Sequence, residues 1–552
     1  MSTAFVFRKT GPDRFIDMSG VASTPGAADR CTKPIIEEAV ASIPGTEVRS
    51  VTLNTSGIHQ PPRPEWSLPE GGGSIAGHAA SEIPPITDLP DFCEVVVRHT
   101  GDDGITSVVT VWVPLAWNGR LGTASVWMPL MVDSPHVRAL TLPAALRNGF
   151  ATASSDGGYR DSRLYDWAFD AESGEFDEAL LRSWAYGAIH PMVVIAKAVT
   201  TAVHGRPPEY SYMAATSTGG KQVVEAATRH PDDFDGLLCV DSAVTWSKAL
   251  VGLLWPSVVM RDLGNPMPAE KLERFRVAAI EAADGLDGLR DGFLGALDPC
   301  DFAPRSLVGE QTAAGPITEL DAETMRLIWD GPRRSNGERL WHGFRPGVGF
   351  WLPGHSIPVP ESGDLRVQEI GLMHLRWVTR DPAFDWTVIT RENFEEWFDR
   401  SVAAFGEFSS DDADLTVFRD RGGKIVFSHA GDDGVIPSQN SVDFYDRLCE
   451  FAGGLDKAAS FARLFVADGD HHSFSGGPGP GLNIATGMTA LMNWVETDSA
   501  PESLTGERYD LATGELQATR PVFPYPRVTR YSGSGDPKDA LSYVGVAPPE
   551  PA

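Results

Sequence analysis

Tyr212-Met-Ala-Ala-Thr-Ser-Thr-Gly-Gly220 decides how this chain folds, because it reads as a buried strand that stops abruptly at a serine flanked by small residues. A serine on a tight strand-to-helix turn holds a strained backbone, so the positions two before and two after it must be small, here Ala215 and Gly219. Upstream, 209–214 carries strand-type residues. Downstream, 221–229 (KQVVEAATR) has helical composition, and 234–240 (FDGLLCV) reads as the next buried strand. Ser217 is therefore the candidate nucleophile. Serine, threonine and glycine also cluster in ordinary turns, so this reading needs partners elsewhere in the chain.

A hydroxyl becomes a nucleophile only beside a base, and a serine on this kind of turn expects an Asp or Glu and then a His further along the chain. Two later segments supply them. GKIVFSHAGDDGVIP (423–437) is a buried strand running into a polar turn, which places Asp432 or Asp433 at the carboxyl edge of the sheet. That edge is where sites form in open α/β sheets. RLFVADGDHHS (463–473) repeats the design and offers His471 or His472.

At this point the chain resembles the tannase and feruloyl esterase family of α/β-hydrolases, which also contains mono(hydroxyethyl) terephthalate hydrolase. The resemblance rests on VTVWVPLAWNGR (109–120), NGFATASSDGGY (148–159), WAYGAIH (184–190), the serine turn with TRHPDDFDG (228–236), HAGDDGVIPSQNSVDFY (429–445), the histidine loop with GGPG (476–479), and RPVFPYP (520–526). It implies a mostly parallel central sheet with helices on both faces and a large inserted lid domain. It also implies a serine esterase acting through an acyl-enzyme, and it selects Asp433, two residues before Val435-Ile436-Pro437, and His472. Family members carry cysteines beside the nucleophile and the histidine; Thr216 and Ser473 stand there instead. The remaining cysteines, Cys31, Cys93, Cys239, Cys300 and Cys449, are odd in number and show no CxxC spacing. A chain without disulfides is the expectation. With no signal-peptide pattern in MSTAFVFRKTGPDRF, a cytoplasmic location is expected too.

DGLDGLRDGF (284–293) sets carboxylates three and four residues apart among glycines, a pattern that suits a hard cation. The resemblance implies a structural calcium held by the side chains of Asp284, Asp287 and Asp291 and the carbonyls of Leu289 and Phe293. An acidic solvated turn is the plainer alternative. For the oxyanion, the N–H of Thr218 is the first donor expected. Trp127 is a candidate for the second donor or for the pocket wall.

The 552 residues are 42% hydrophobic with 15 Trp, enough for a sizeable core, and the motifs of one catalytic sheet run through most of the chain. The expected organisation is an irregular N-terminal arm (1–90) with one helix, a catalytic domain (91–245 and 415–500) and a lid domain (246–414). A C-terminal extension (501–552) packs on the catalytic domain and ends loosely. A net charge of −29 without a basic patch argues against nucleic acid and anionic membranes as partners, and there is no apolar run of spanning length. The partner expected is a small-molecule ester, aromatic or phenolic, with no organic cofactor. Lactone or carbon–carbon bond hydrolysis by the same triad, and a catalytically silent binding protein, are the alternatives.

Overall fold

The structure is a computed structural model that describes residues 14–60, 85–123, 142–158, 166–170, 172–350, 365, 367–472, 477–510 and 513–548. A nine-stranded sheet organises it. The strands are β1 (Thr46–Asn54), β2 (Phe92–Thr100), β3 (Thr106–Pro114), β4 (Arg120–Thr123), β5 (Ala151–Ser155), β6 (Tyr210–Thr216), β7 (Gly236–Val240), then β10 (Lys424–Ala430) and β11 (Ala462–Ala467), after a small hairpin of β8 (Gln311–Thr312) and β9 (Gly315–Pro316) outside the sheet. Their spatial order is β1-β2-β3-β5-β4-β6-β7-β10-β11. The first three strands pair antiparallel, as do β3 and β5, and every pair from β5 to β11 is parallel.

Parallel strands are covered on both faces, so their sequences are apolar throughout rather than alternating. β7 is Gly-Leu-Leu-Cys-Val and buried at every position. The pleat still sorts its neighbours into two cores. Met213, Ala215, Leu237, Cys239, Ile425, Phe427, Leu464 and Val466 face the helices Ile189–His204 and Thr218–Arg229, whereas Tyr212, Leu238, Val240, Val426, Phe465 and Ala467 face the helix Ile484–Thr497. Two faces covered by helices make this an α/β-hydrolase architecture.

Between β7 and β10 the chain adds no strand to the sheet among the described residues. It builds helices instead, including Trp246–Gly252, Ala269–Ala283, Glu319–Asp330, Glu369–Thr379 and Phe394–Phe405. Tryptophans weld this inserted segment to the sheet domain: Trp184 meets Trp246 with ring centroids 5.2 Å apart and Trp377 at 5.8 Å, in edge-on geometries suited to the ring quadrupoles.

Three features differ from the sequence reading. The N-terminal region supplies β1 as an edge strand of the main sheet, in addition to the helix Lys33–Val40. Its one buried position, Val48, leaves too little alternation to signal a strand. The C-terminal region forms two strand pairs, Leu504–Tyr509 with Leu516–Val522 and Val528–Tyr531 with Tyr543–Val546. Finally, Cys31 and Cys93 form a disulfide across 62 residues of sequence, which corrects the expectation of a disulfide-free chain. Spacing could not reveal it, because the helix turn before Cys31 and the start of β2 are brought together only by the tertiary fold. Disulfides persist in oxidising compartments, so the cysteine argument for a reducing cytoplasm falls.

Candidate active site

Ser217 follows the last residue of β6 and caps the helix Thr218–Arg229. Its backbone is left-handed, with φ 59° and ψ −121°, a conformation that adds on the order of 1–3 kcal/mol of strain for a residue with a side chain. Neighbouring strands hold it there. The Ser217 N–H donates to the Val240 carbonyl at 2.9 Å, and the Ser217 carbonyl accepts from Ala243 N–H at 3.3 Å. Close approach of the helix to β7 requires glycine at 220, because a Cβ there would sit 2.8 Å from Ser242 Cβ and 2.9 Å from the Val240 carbonyl oxygen.

The sheet register places the other two residues at the same edge. Thr216 pairs with Val240, Val240 with Ser428, and Ser428 with Phe465, so four strands present one row just before their loops begin. Ser217 follows the first of these, Asp433 leaves the loop after β10, and His472 the loop after β11. Asp433 is fully buried. Its Oδ1 accepts the N–H groups of Val435 at 2.7 Å and Ile436 at 2.8 Å, and its Oδ2 accepts Nδ1–H of His472 at 2.6 Å. With Nδ1 committed to the carboxylate, the lone pair of the neutral ring lies on Nε2. Burial disfavours charge on both groups, but their mutual attraction and the hydrogen bonds outweigh it: His472 is held above the ordinary histidine range and Asp433 well below the carboxylate range.

The rivals take other roles. Asp432 sends its N–H to the Asp470 carbonyl at 3.0 Å, and burial pushes its carboxyl up to about 7 despite Arg345 and Arg276. His471 is pushed down to about 4 by burial, and its N–H donates to Asp470 Oδ1 at 2.9 Å. Thr218 is the buried first residue of its helix, whose leading N–H groups lack partners within the helix. Trp127 lies outside the described residues, as does Ser473.

The 284–293 loop does not fit calcium as it stands. Arg520 takes Asp287 Oδ2 at 3.2 Å and also pairs with Asp291, while Asp284 Oδ1 accepts the N–H of Asp291 at 3.1 Å and Oδ2 that of Gly292 at 3.1 Å. Among the described residues, the three carboxylates are not gathered within 4.8 Å of one another. Phe293 instead packs its ring against Gly469, in the loop that leads to His472.

Two residues at this edge escaped the sequence reading. His429, four before Asp433, is buried with Nε2 3.3 Å from Asp433 Oδ2. Asp241, directly after β7, has a left-handed φ of 44°, and its Oδ1 accepts the Ala430 N–H at 2.7 Å. A buried aspartate at a strand's carboxyl end was the available signal for the second.

Comparison with known proteins agrees with this picture. The profile of the family described as tannase and feruloyl esterase matches residues 93–356 and 361–546. A "Probable feruloyl esterase" of Arthroderma benhamiae is 33% identical over 487 residues, 85% of this chain and 88% of that protein. Mono(2-hydroxyethyl) terephthalate hydrolase of Piscinibacter sakaiensis is 27% identical, covering 84% of this chain and 86% of the other. Among solved structures, tannin acyl hydrolase from Aspergillus niger superposes with a TM-score of 0.78 at 21% identity over 96% of both chains. Feruloyl esterase B from Aspergillus oryzae gives 0.75 at 20% identity, covering 94% of this chain and all of that one.

Proposed function

Because this chain belongs to the tannase and feruloyl esterase family, and so is a carboxylic ester hydrolase, we propose that it cleaves esters of small aromatic acids through a Ser217–His472–Asp433 triad. The observation that carries the mechanism is the Asp433–His472 hydrogen bond at 2.6 Å, at the strand edge where Ser217 sits in a left-handed turn. The names of the relatives, a feruloyl esterase and a terephthalate mono-ester hydrolase, support an aromatic acyl group.

His472 Nε2 removes the proton from Ser217 Oγ as that oxygen attacks the ester carbonyl, and Asp433 stabilises the imidazolium that results. The tetrahedral intermediate's oxygen takes the N–H of Thr218, a donor worth on the order of 3 kcal/mol in the transition state. His472 then hands its proton to the departing alcohol. An acyl-enzyme on Ser217 remains, and water activated by the same Nε2 hydrolyses it.

Calcium has no step in this chemistry. A structural ion in the 284–293 loop is kept as a proposal only, and it requires Arg520 to release Asp287 and Asp291. A rise in unfolding temperature on adding calcium, reversed by a chelator, supports it; an unchanged temperature removes it.

The test of the hydrolase reading is turnover of p-nitrophenyl acetate and of methyl esters of hydroxycinnamic and benzoic acids by wild type and Ser217→Ala. Wild type is expected to turn over with a burst of one equivalent where deacylation is slow, and Ser217→Ala to lose on the order of 10⁴-fold or more in kcat. Undiminished turnover in Ser217→Ala would refute the nucleophile.

A further inference from the structure

Asp433 serves two imidazoles. Its Oδ1 is filled by the N–H groups of Val435 and Ile436, and its Oδ2, besides taking His472 Nδ1–H, lies 3.3 Å from Nε2 of His429. His429 is the penultimate residue of β10 and has no exposed side-chain surface. Its partners fix its protons. Nε2 is 3.0 Å from the Ile436 carbonyl, which only accepts, so Nε2 carries hydrogen. That N–H donates to the Ile436 carbonyl, and the same nitrogen lies 3.3 Å from Asp433 Oδ2, within ion-pair distance of the carboxylate. Nδ1 faces the Ser441 hydroxyl at 2.7 Å, which donates to the neutral ring and accepts from the charged one. The ring therefore keeps its hydrogen bonds with one proton or two.

The charged surroundings come from three strand ends and the inserted segment. Asp241, after β7, brings a carboxylate oxygen within 4.8 Å of a ring nitrogen of His429 and a carboxylate oxygen of Asp433. Asp470, His471 and His472 face the group from the loop after β11, and Arg276 faces His471 from the helix Ala269–Ala283. Burial alone would lower the His429 pKa, but Asp433 and Asp241 outweigh it and raise it.

We propose that His429 is a positioning residue for ester hydrolysis, holding Oδ2 of Asp433 in place beneath His472, with Asp241 bracing the strand end that carries it. The proposal rests on the triad assigned above. His429 touches no substrate in this role; it acts through Asp433. The electropositive edge of the His429 ring, 3.3 Å from Oδ2, draws negative charge from the oxygen that His472 also uses, and so limits how strongly Asp433 stabilises the imidazolium. Without that edge, His472 holds its proton to higher pH and is a free base over a narrower range.

His429→Leu removes the donor, and His429→Gln returns an N–H to the Nε2 position. For a hydrogen bond to a charged group, kcat is expected to fall roughly 10–100-fold in His429→Leu with KM little changed. The acid limb of the pH profile moves to higher pH, and His429→Gln recovers most of the rate and returns the limb. A second arm needs no turnover. The His472 imidazole is titrated by NMR in Ser217→Ala with and without His429→Leu, and an upward shift is expected. Should His429→Leu fail to fold, His429→Asn, too short to reach Oδ2, replaces it in both arms. A His472 titration unmoved by the substitution overturns the proposal, as does a rate loss that follows unfolding temperature alone with no recovery in His429→Gln. Absence of esterase turnover in wild type counts against the hydrolase reading instead, and the NMR arm still decides the role of His429.

Discussion

Ala296 donates its N–H to Asp468 Oδ1 at 2.6 Å, so the inserted segment grips the strand-end loop that delivers His472. Both residues are buried, and the loop's Gly469 is covered by Phe293 from the same segment. Removing the acceptor leaves a buried N–H unpaired, which costs about 1–3 kcal/mol. Asp468→Ala is expected to lower the unfolding temperature measurably. Asp468→Asn, which keeps an acceptor at Oδ1, is expected to retain it. Burial already pushes the Asp468 carboxyl up to about 6, so the neutral amide carries no penalty relative to the charged acid at pH 8. Equal losses in the two variants would show that Ala296 does not depend on this oxygen.

Asp432 and Asp433 are adjacent yet opposite in their energetics, and one pair of substitutions separates them. Asp433→Asn removes the carboxylate that orients His472, with an expected fall in kcat on the order of 10⁴-fold. Asp432→Asn removes a buried charge that serves no hydrogen bond to the histidine, and activity is expected to survive. Its effect is on stability. Burial pushes the folded carboxyl of Asp432 up to about 7 from an ordinary 3.8, so the stability it confers is fully present below 3.8 and is lost as pH rises towards 7. The loss is at most about 1.4 kcal/mol per pH unit. The Asn variant and wild type should therefore unfold alike at pH 4, and the variant should be the more stable by pH 8, as read by denaturant titration at each pH.

The same geometry sets the pH dependence of catalysis. In the proposed triad His472 must be neutral to accept the Ser217 proton, and its pKa is raised above 6.5 because the attraction of Asp433 outweighs burial. Asp433 stays ionised throughout, its pKa being lowered. kcat/KM should therefore rise with pH through a single limb centred above 6.5. His472→Ala should abolish turnover, whereas His471→Ala, whose ring is held neutral down to about pH 4, should leave the limb where it is. A profile flat from pH 5 to 8 contradicts the assignment of His472 as base.

What the sequence could tell and could not follows from the range over which each signal acts. The strand, serine and helix at 210–229 are local: apolar residues, a small-residue turn and helical composition all lie within one window. The acid and histidine loops repeat that local design, so their placement at strand ends was legible. Choosing Asp433 over Asp432 was not a matter of local chemistry. It depends on the Val435 and Ile436 N–H groups that cradle one carboxylate and on the burial that neutralises the other, and both are properties of the folded turn. Asp241 ends a legible strand, but its meeting with His429 was invisible for the same reason, since only the pairing of β7 with β10 brings them together. The acids at 284–291 show the converse. Their spacing is a local signal, whereas the approach of Arg520 to two of them, from more than 200 residues away in sequence, is not.

The Cys31–Cys93 disulfide yields the last prediction. It ties the segment before the helix Lys33–Val40 to the start of β2, and β1, which follows that helix, pairs with β2 as the edge strand. Closing 62 residues into a loop restricts the unfolded chain, a stabilisation of about 4 kcal/mol in the chain-entropy picture. β2 lies four strands from β6 in the sheet order, roughly 19 Å at the usual strand spacing, so the loss should not reach Ser217 directly. Cys31→Ser, or reduction with dithiothreitol, is thus expected to lower the unfolding temperature while leaving kcat and KM of the folded enzyme within about twofold. Free thiols should rise by two on reduction under denaturing conditions, because Cys239, Cys300 and Cys449 are already unpaired. Five free thiols before reduction, or an unfolding temperature indifferent to dithiothreitol, would remove the bridge from the account. A fall in kcat without loss of stability would mean that the far edge of the sheet communicates with the nucleophile in a way the strand order does not explain.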